Sequence, residues 1–579
     1  MPTRGPLPIP FPLSSFPGAS AHPGSNNQEG AGRLVNCYAE PLGEATTPTG
    51  PSKQVWRRSP GLSQHNNAPT GQSGYRGGLI VNNLSYECWS GNASTLDVAG
   101  NYVSLGAFPG TKKVSIARNQ AASPNVVAVD PDNGAYVLSG GGAPAFYNGG
   151  GNLPQPNSVC FQDGYFFYTI GDNRCFASPL NSVGTINTQT FITAQAKSDV
   201  NLLRGIAYGG LLWLFTTGHC EIWQDTAVAA PAFPYTRLLV IEYGLVQQAA
   251  IAGWETGFSE LLWAAQDFGV YWATPGSFQP IKVSSPDIEK LIEQQVRAGN
   301  TLEASVYAFA GKKFWVLSSP AWTWEFNIST KKWNERSSLA GGAYGRWRAT
   351  GGHPAFNKWL MGDTQTGNLF WLDNSNYTEN GAPQLFRIES GPVRDFPNSI
   401  RIARADFDFV MGVGTNVANT ITTVLGAAAN PGGLIRLQVA NTAQMSANDT
   451  VNVVNVLGTT EANGAWQITV VDPTHIDLQA TVFAHAYVSG GQVTDVTAPS
   501  GQVAPTVAIS CSKDGGYTWG NPLLRQLGQQ GKTKRNRVSV KNMGMSSPLG
   551  DRWRLDVTDP VYTAILGGTQ SSNPAEVGA

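Results

Sequence analysis

Charge is scarce in this chain. Asp, Glu, Lys and Arg together make up 13% of its 579 residues, about half the share of an ordinary globular protein. The 17 Trp and 18 Tyr exclude intrinsic disorder, which requires high charge and few aromatics. A net charge of −1 supplies no electrostatic drive toward nucleic acid or an anionic membrane. No apolar run approaches the ~20 residues that span a bilayer. Residues 1–6, Met-Pro-Thr-Arg-Gly-Pro, hold no apolar stretch. The expectation is therefore no secretory signal and maturation in a reducing cytoplasm. The six cysteines, at 37, 88, 160, 175, 220 and 511, show no CxxC spacing, and the six His do not pair with them. No zinc site is expected. Cys160 and Cys175 are spaced to face each other across one hairpin, but free cysteines in strands are the plainer reading. The sequence also lacks a GxxxxGK[ST] phosphate loop, an HExxH pair and a G-x-S-x-G elbow. Nothing supports catalysis, and no cofactor or metal is expected.

What is present is glycine, 66 residues of it, and a degenerate hairpin unit that recurs from about 75 to about 375. Each copy is a strand, a tight turn, an aromatic-rich strand, a second turn and a strand ending in an aromatic. Gln162-Asp-Gly-Tyr-Phe-Phe-Tyr168 leads to Gly171-Asp-Asn-Arg-Cys-Phe176, and Tyr208-Gly-Gly-Leu-Leu-Trp-Leu-Phe215 leads to Gly218-His-Cys-Glu-Ile-Trp223. Further copies centre on Leu261–Trp272, Gly311–Phe326 and Lys358–Trp371, with weaker ones near Val81 and Asn125. The spacing, roughly 36–54 residues, is that of a propeller blade. A lone hairpin leaves its apolar face bare, so such units must stack. About seven units are expected.

The fold class that follows is all-β: a β-propeller-like repeat domain plus a C-terminal β-sandwich carrying an inserted small β domain. Residues 1–70, rich in Pro, Gly, Ser and Asn, read as an extended N-terminal arm with no core of its own, apart from a short apolar run at Arg33–Tyr38. Residues 71–380 hold the propeller. One helix is expected within them, with Ser285 as N-cap, Pro286 at the first position and Ile288, Leu291, Ile292 and Val296 on one apolar face, ending at Gly299. Residues 381–417 and 496–579 form the split sandwich, from Arg404–Val410, Thr506–Cys511 and Trp553–Val557. Residues 418–495, poor in aromatics and rich in Val, Thr, Ala and Asn, form the insert, with turns at Asn463-Gly464 and Asp472-Pro473. Long insertions at exposed loops are tolerated because closing a longer loop costs little.

Two motifs stand out in the C-terminal part. Ser512-Lys-Asp-Gly-Gly-Tyr-Thr-Trp519 has the Asp-box pattern S-x-D-x-G-x-T-W. Ser512, Asp514, Gly516, Thr518 and Trp519 predict a stabilising turn, in which Asp514 accepts backbone N–H groups and Trp519 packs beneath. A glycosidase needs two facing carboxylates, which a single box does not supply. The one dense basic run holds Lys532, Lys534, Arg535 and Arg537. It reads as a solvated hairpin tip or an interface with phosphates or an acidic neighbour.

Several segments, in order, resemble the packaged-DNA stabilisation proteins of short-tailed bacteriophages, the tail accessory factors that form the tail nozzle. They are Gly32–Pro41, Arg57-Arg-Ser-Pro-Gly-Leu62, Gly244–Gly253, Asp287–Ile292, Ser510–Gly520 and Asp551–Pro560. The stretch 418–495 resembles small β modules inserted in many phage structural proteins. The resemblance implies a virion protein, made in the host cytoplasm, with a propeller in each subunit of a homo-oligomeric ring, a hexamer. It implies docking below the portal or its adaptor ring, contact with a needle or plug and with tailspikes or fibres, and transient contact with double-stranded DNA in the lumen. It implies no catalytic residue and no small-molecule substrate. Two alternatives stay open: a glycan-binding or sialidase-like receptor-interacting virion protein, and an adhesin-like surface protein.

Overall fold

Seven four-stranded antiparallel blades, five of them separate sheets and two of them parts of larger sheets, follow one another around a ring in the computed structural model, which describes residues 6–15, 30–41, 54–66, 72–196, 201–228, 232–395, 397–411, 421–442, 445–495, 505–528 and 535–572. Blades 1 to 4 begin with Gly77–Val81, Ser115–Arg118, Ser158–Gln162 and Leu202–Tyr208, and blades 5 to 7 with Ile251–Ala252, Glu303–Phe309 and Ala349–Ala355. The first strand of each blade lies innermost, beside the first strand of the next, and that of blade 7 returns to that of blade 1. The tight turns between first and second strands need positive φ, which explains their Asn and Gly content: Asn82-Asn83, Asp163-Gly164 and Gly209-Gly210 all adopt it.

The aromatic runs have a direct physical reading. The central strands of a blade are covered on both faces by neighbouring blades, so no polar alternation survives. In Tyr165–Thr169, Phe166 and Tyr168 pack with Val127 and Val129 of blade 2, while Phe167 packs with Leu212 and Leu214 of blade 4. The six cysteines are free and buried. The helix runs Pro286–Arg297 in the link from blade 5 to blade 6, with Ile288 and Ile292 buried. Ser285 is extended as an N-cap should be but makes no side-chain cap bond; the hydroxyl of Ser284 donates instead to Glu289 Oε1 at 2.7 Å. Among the described residues no helix is long and apolar enough to cross a membrane.

The N-terminal region differs from the expectation of an extended arm. Its described parts are strands of the body. Gly61–Gln64 is the fourth strand of blade 7, antiparallel to Leu369–Asp373, and closes the ring. Cys37–Pro41 and Gln54–Arg58 belong to one sheet of the sandwich, with Thr563–Ser571, Arg401–Met411 and Arg535–Met545. Arg33–Val35 belongs to the other sheet, beside Phe386–Glu389, Arg552–Val557, Thr506–Ser512 and Leu523–Gln526. The reason is apolar burial. Leu34, Cys37 and Trp56 are interior residues of the sandwich core, with Phe407, Phe409, Trp553 and Ile565.

Arg33–Val35 also joins the two bodies. It runs parallel to Lys332–Arg336 of blade 6, with Val35 opposite Glu335, so blade 6 and one sandwich sheet form a single nine-stranded sheet. At the joint Asn36 is buried in a left-handed conformation, φ 50°. Its amide Nδ2 donates to the carbonyls of Ser337 and Leu385, both at 2.8 Å, and its Oδ1 accepts from Ser337 N at 3.0 Å.

Between the sandwich strands Arg401–Met411 and Thr506–Ser512, six strands close into a small barrel, from Ile421–Ala429 to Gln492–Asp495. It has its own core of Val424, Leu437, Val451, Ile468 and Val493. Its ends meet, since Ile421 pairs with Thr494.

Candidate functional site: the propeller axis and the sandwich surface

Propellers place their inner strands around an axis, and here that axis is crossed by charge. Lys113 precedes the first strand of blade 2. Its ammonium donates to Tyr75 O and Thr350 Oγ1, both at 3.0 Å, and stands 3.7 Å from the carboxylate of Glu303 at the start of blade 6. In a ring of seven, blades 2 and 6 are not neighbours, so this pair reaches across the centre. Arg346 Nη2 meets the same carboxylate at 2.6 Å, and Thr350 Oγ1 donates to it at 3.0 Å. Burial acts to raise the Glu303 pKa, but Lys113 and Arg346 outweigh it and bring the group down to about 2. Burial likewise lowers Lys113. On the other side, Arg204 of blade 4 donates to Gln248 O at 3.1 Å and lies 4.7 Å from the ring centre of Trp254. Near it, burial pushes the Glu255 carboxyl up to about 7. At the far ends of the inner strands, Phe258 of blade 5 meets Trp359 of blade 7 edge-on at 5.2 Å. A Cβ on Gly352 would approach that indole nitrogen to 2.4 Å, so glycine is needed there. Ion pairs and aromatic rings thus cross the axis. Duplex DNA, whose major groove alone is about 12 Å wide, has no path along it.

Two buried clusters look like catalytic sets and are seams instead. At the closure of blades 7 and 1, His353 Nε2 lies 2.7 Å from Ser85 Oγ and 3.2 Å from Glu87 Oε1. Its Nδ1 is 3.1 Å from Tyr75 OH. The serine hydroxyl donates to Glu87 at 2.6 Å, and all three residues are buried, so no substrate reaches them. At blade 4, Thr216, His219 and Glu221 form a similar buried set, in which Glu221 accepts from Trp223 Nε1 at 3.1 Å. The first set joins residues far apart in the chain, which nothing local in the sequence signals, whereas the second is built within Thr216–Trp223.

The Asp-box residues come together as one turn. Ser512 Oγ donates to Asp514 Oδ1 and accepts from Gly516 N, both at 2.7 Å. Thr518 donates to Asp514 through its N–H at 3.0 Å and its hydroxyl at 2.6 Å. Trp519 lies beneath the guanidinium of Arg554, 4.0 Å from the ring centre, and Arg554 pairs with Glu389 at 2.8 Å. Burial acts to raise the Asp514 pKa, and the bonds from Thr518 and Ser512 hold it down at about 2. A carboxylate so engaged by its own turn is a poor proton donor. Of the basic run, Lys532 and Lys534 lie outside the described residues. Arg535 pairs with Asp408, and Arg537 stands opposite Asp408 on the next strand. Among the described residues, the Asp box and the part of the basic run at Arg535 and Arg537 are not brought together into one pocket.

Fold and surfaces together define a structural propeller protein with a fused sandwich. The family described as Bacteriophage P22 Gp10, beta-propeller matches residues 28–377, more than half of the chain. The chain belongs to this family and is a phage structural protein. A search of curated proteins finds no match. Among solved structures, a streptogramin B lyase is similar at 13% identity, covering 54% of this chain and 97% of that one, with a TM-score of 0.36. The WD40 propeller domain of Doa1 is similar at 7% identity, with the same coverage and a TM-score of 0.36. A virginiamycin B lyase from Staphylococcus aureus is similar at 12% identity, covering 54% and 99%, with a TM-score of 0.37.

Proposed function

We propose that this chain is the subunit of a tail nozzle or hub ring that retains packaged DNA below the portal–adaptor assembly and forms part of its ejection conduit. The single observation that carries the reading is the family match across the propeller and the N-terminal strands. The crossed axis supports it, because the propeller then acts as a solid wedge and its outer surfaces do the work. Low charge suits large contacts between copies, since few ions are desolvated when flat sides pack. We take the ring as a homo-hexamer, meeting the portal or adaptor on one side and a needle or plug and spikes or fibres on the other, within the virion. The subunit turns over no substrate in this reading.

Particles made without this protein test it. They package DNA and then lose it, while heads still assemble. Knock-out particles that hold their DNA and infect normally end the proposal, as does a native mass showing only monomers in the virion.

A further inference from the structure

One end of the sandwich gathers exposed apolar and basic side chains on three loops that are bonded to one another. Ser547 N donates to Lys513 O at 2.8 Å, and Gly515 N to Gly550 O at 3.0 Å. Ser546 N donates to Ile400 O at 2.8 Å, and Met545 stands opposite Arg401. A Cβ on Gly550 would come within 2.8 Å of the Arg394 side chain. On these loops Tyr517, Met545 and Leu549 are exposed. Arg394, Arg401 and Lys513 are exposed beside them and form no ion pair among the described residues. Of the acids on the same loops, Asp514 is held by its own turn, Asp551 is buried and Asp395 is half-buried. Tyrosine, methionine and arginine are the residues that protein interfaces concentrate.

The inserted barrel has the opposite character. Residues 421–495 hold five carboxylates against one cation, Arg436, a net charge of −4, and Arg436 is engaged by Asp477 at 2.7 Å. The barrel's sheet and core are its own. Leu425, Leu457 and Val488 are exposed on it and gather at one end. Val488 N donates to Leu457 O at 2.9 Å, and a Cβ on Gly491 would touch both Val424 and Val456, the residues that precede Leu425 and Leu457. That end is the barrel's tip, because Ile421 and Asp495, which lead back to the sandwich, stand at the other ends of the same strands.

We propose that this end of the sandwich receives the barrel tip of a neighbouring copy, so that subunits join head to tail. The proposal rests on the ring reading above and names a contact that holds the ring together. Charge complementarity selects the occupant: the receiving end is basic and the barrel is acidic. Apolar side chains meet at the centre of the contact and ions form its rim. Topology makes the barrel a neighbour's. The barrel lies in the chain between Arg401–Met411 and Thr506–Ser512. Met411 is opposite Thr563, and Thr506 N bonds to Asp559 at 2.6 Å, so both mark the end where the barrel is attached. Arg401 and Ser512 mark the receiving end, opposite Met545 and Arg552. A strand of eleven residues spans about 33 Å, which separates the two ends of each sandwich. A subunit with unlike ends makes a heterologous contact, which closes into a ring when the rotation per step allows. A self-complementary contact would stop at a dimer.

The test uses the full-length double variant Leu457→Cys/Leu549→Cys, oxidised both as purified protein and in particles and then run without reductant. The native cysteines are buried, so the introduced thiols are the accessible ones. The double variant should give a ladder of cross-linked copies, and either single variant only monomers. Two charge variants check the pairing by native mass. Arg394→Glu/Arg401→Glu and Leu425→Lys/Val488→Lys should each fail to assemble alone and should form rings when mixed in equal amounts, because each then offers the other a matched surface. Recovery on mixing also shows that both variants are folded. Monomer bands alone in both oxidised samples overturn the proposal, as do charge variants that assemble alone. So does an intramolecular product, because the barrel then docks on its own sandwich. Dimers of a single cysteine variant, or its coupling to another virion protein, overturn it too, because the occupant is then a different surface. If knock-out particles leak DNA while no ladder forms, the nozzle reading stands and this contact falls. If the ladder forms while knock-out particles keep their DNA, the contact stands and the nozzle reading falls.

Discussion

Asn36 ties the propeller to the sandwich, and its replacement has a calculable effect. Alanine at this position removes three buried hydrogen bonds, two to the carbonyls of Ser337 and Leu385 and one from Ser337 N. Each such bond contributes roughly 1 kcal/mol net, so about 3 kcal/mol is lost. The backbone adds a second term. Asn36 has φ 50°, and a residue with a Cβ pays about 1 kcal/mol there, a penalty Asn partly escapes through its local hydrogen bonds. Asn36→Ala should therefore lower stability by about 4 kcal/mol and Asn36→Gly by about 3 kcal/mol. The backbone bonds from Asn36 N to Glu335 O and from Ser59 N to Asn36 O survive in both variants, so the strands should still form. Guanidinium denaturation followed by tryptophan fluorescence reads the difference, since Trp56, Trp333 and Trp553 report on both sides of the joint. A loss under 1 kcal/mol for alanine, or glycine no better than alanine, refutes the reasoning.

Three further outcomes are expected. Burial pushes the carboxyl of Asp551 up to about 7 against the aid of Gln570 and Lys513, and its Oδ1 has no hydrogen-bond partner. The folded protein therefore binds this proton more tightly than the unfolded chain, and stability falls as pH rises from about 4 to about 7. Asp551→Asn should flatten that slope and stabilise the protein at pH 8, by about 4 kcal/mol at most; an unchanged pH profile of thermal melting contradicts it. Asp514→Ala empties the Asp-box turn and should cost about 1 kcal/mol without abolishing any turnover; cleavage of sialosides that this change kills at unchanged stability would sink the structural reading. Deleting 419–494 and joining the ends with a short Gly/Ser linker should leave the rest folded, because Ile421 and Thr494 are paired neighbours; insolubility or a lost main transition in circular dichroism counts against it.

The propeller was legible in the sequence because each blade is local. Its strands are joined by short turns, and turn chemistry and aromatic runs fall within a few dozen residues, as in Tyr165–Thr169 and Leu211–Thr216. The helix at Pro286–Arg297 and the turn at Ser512–Trp519 were legible for the same reason. The N-terminal strands were not. Gly61–Gln64 pairs with Leu369–Asp373, and Trp56 with Ile565. Partners that distant leave no periodicity around residues 33–64, where Pro and Gly dominate the flanks. The crossed axis was hidden likewise, because Lys113 and Glu303 acquire meaning only when the ring closes.

The strand that completes blade 7 sets a timetable for synthesis. Gly61–Gln64 leaves the ribosome early, but the edge it fits, Leu369–Asp373, follows roughly 300 residues later, a wait of roughly 15–60 s at bacterial elongation rates. Gln54–Arg58 waits longer still, for Thr563–Ser571. Blades 1 to 6 can form as they emerge, but the ring stays an open arc until its first-made strand is captured. Through that interval Val55, Trp56 and Leu62, all buried in the finished protein, stay in water on a chain with little charge to keep it apart from its neighbours. Nascent copies are therefore most vulnerable to chaperone capture, or to exchanging this strand with another copy, just before blade 7 is complete.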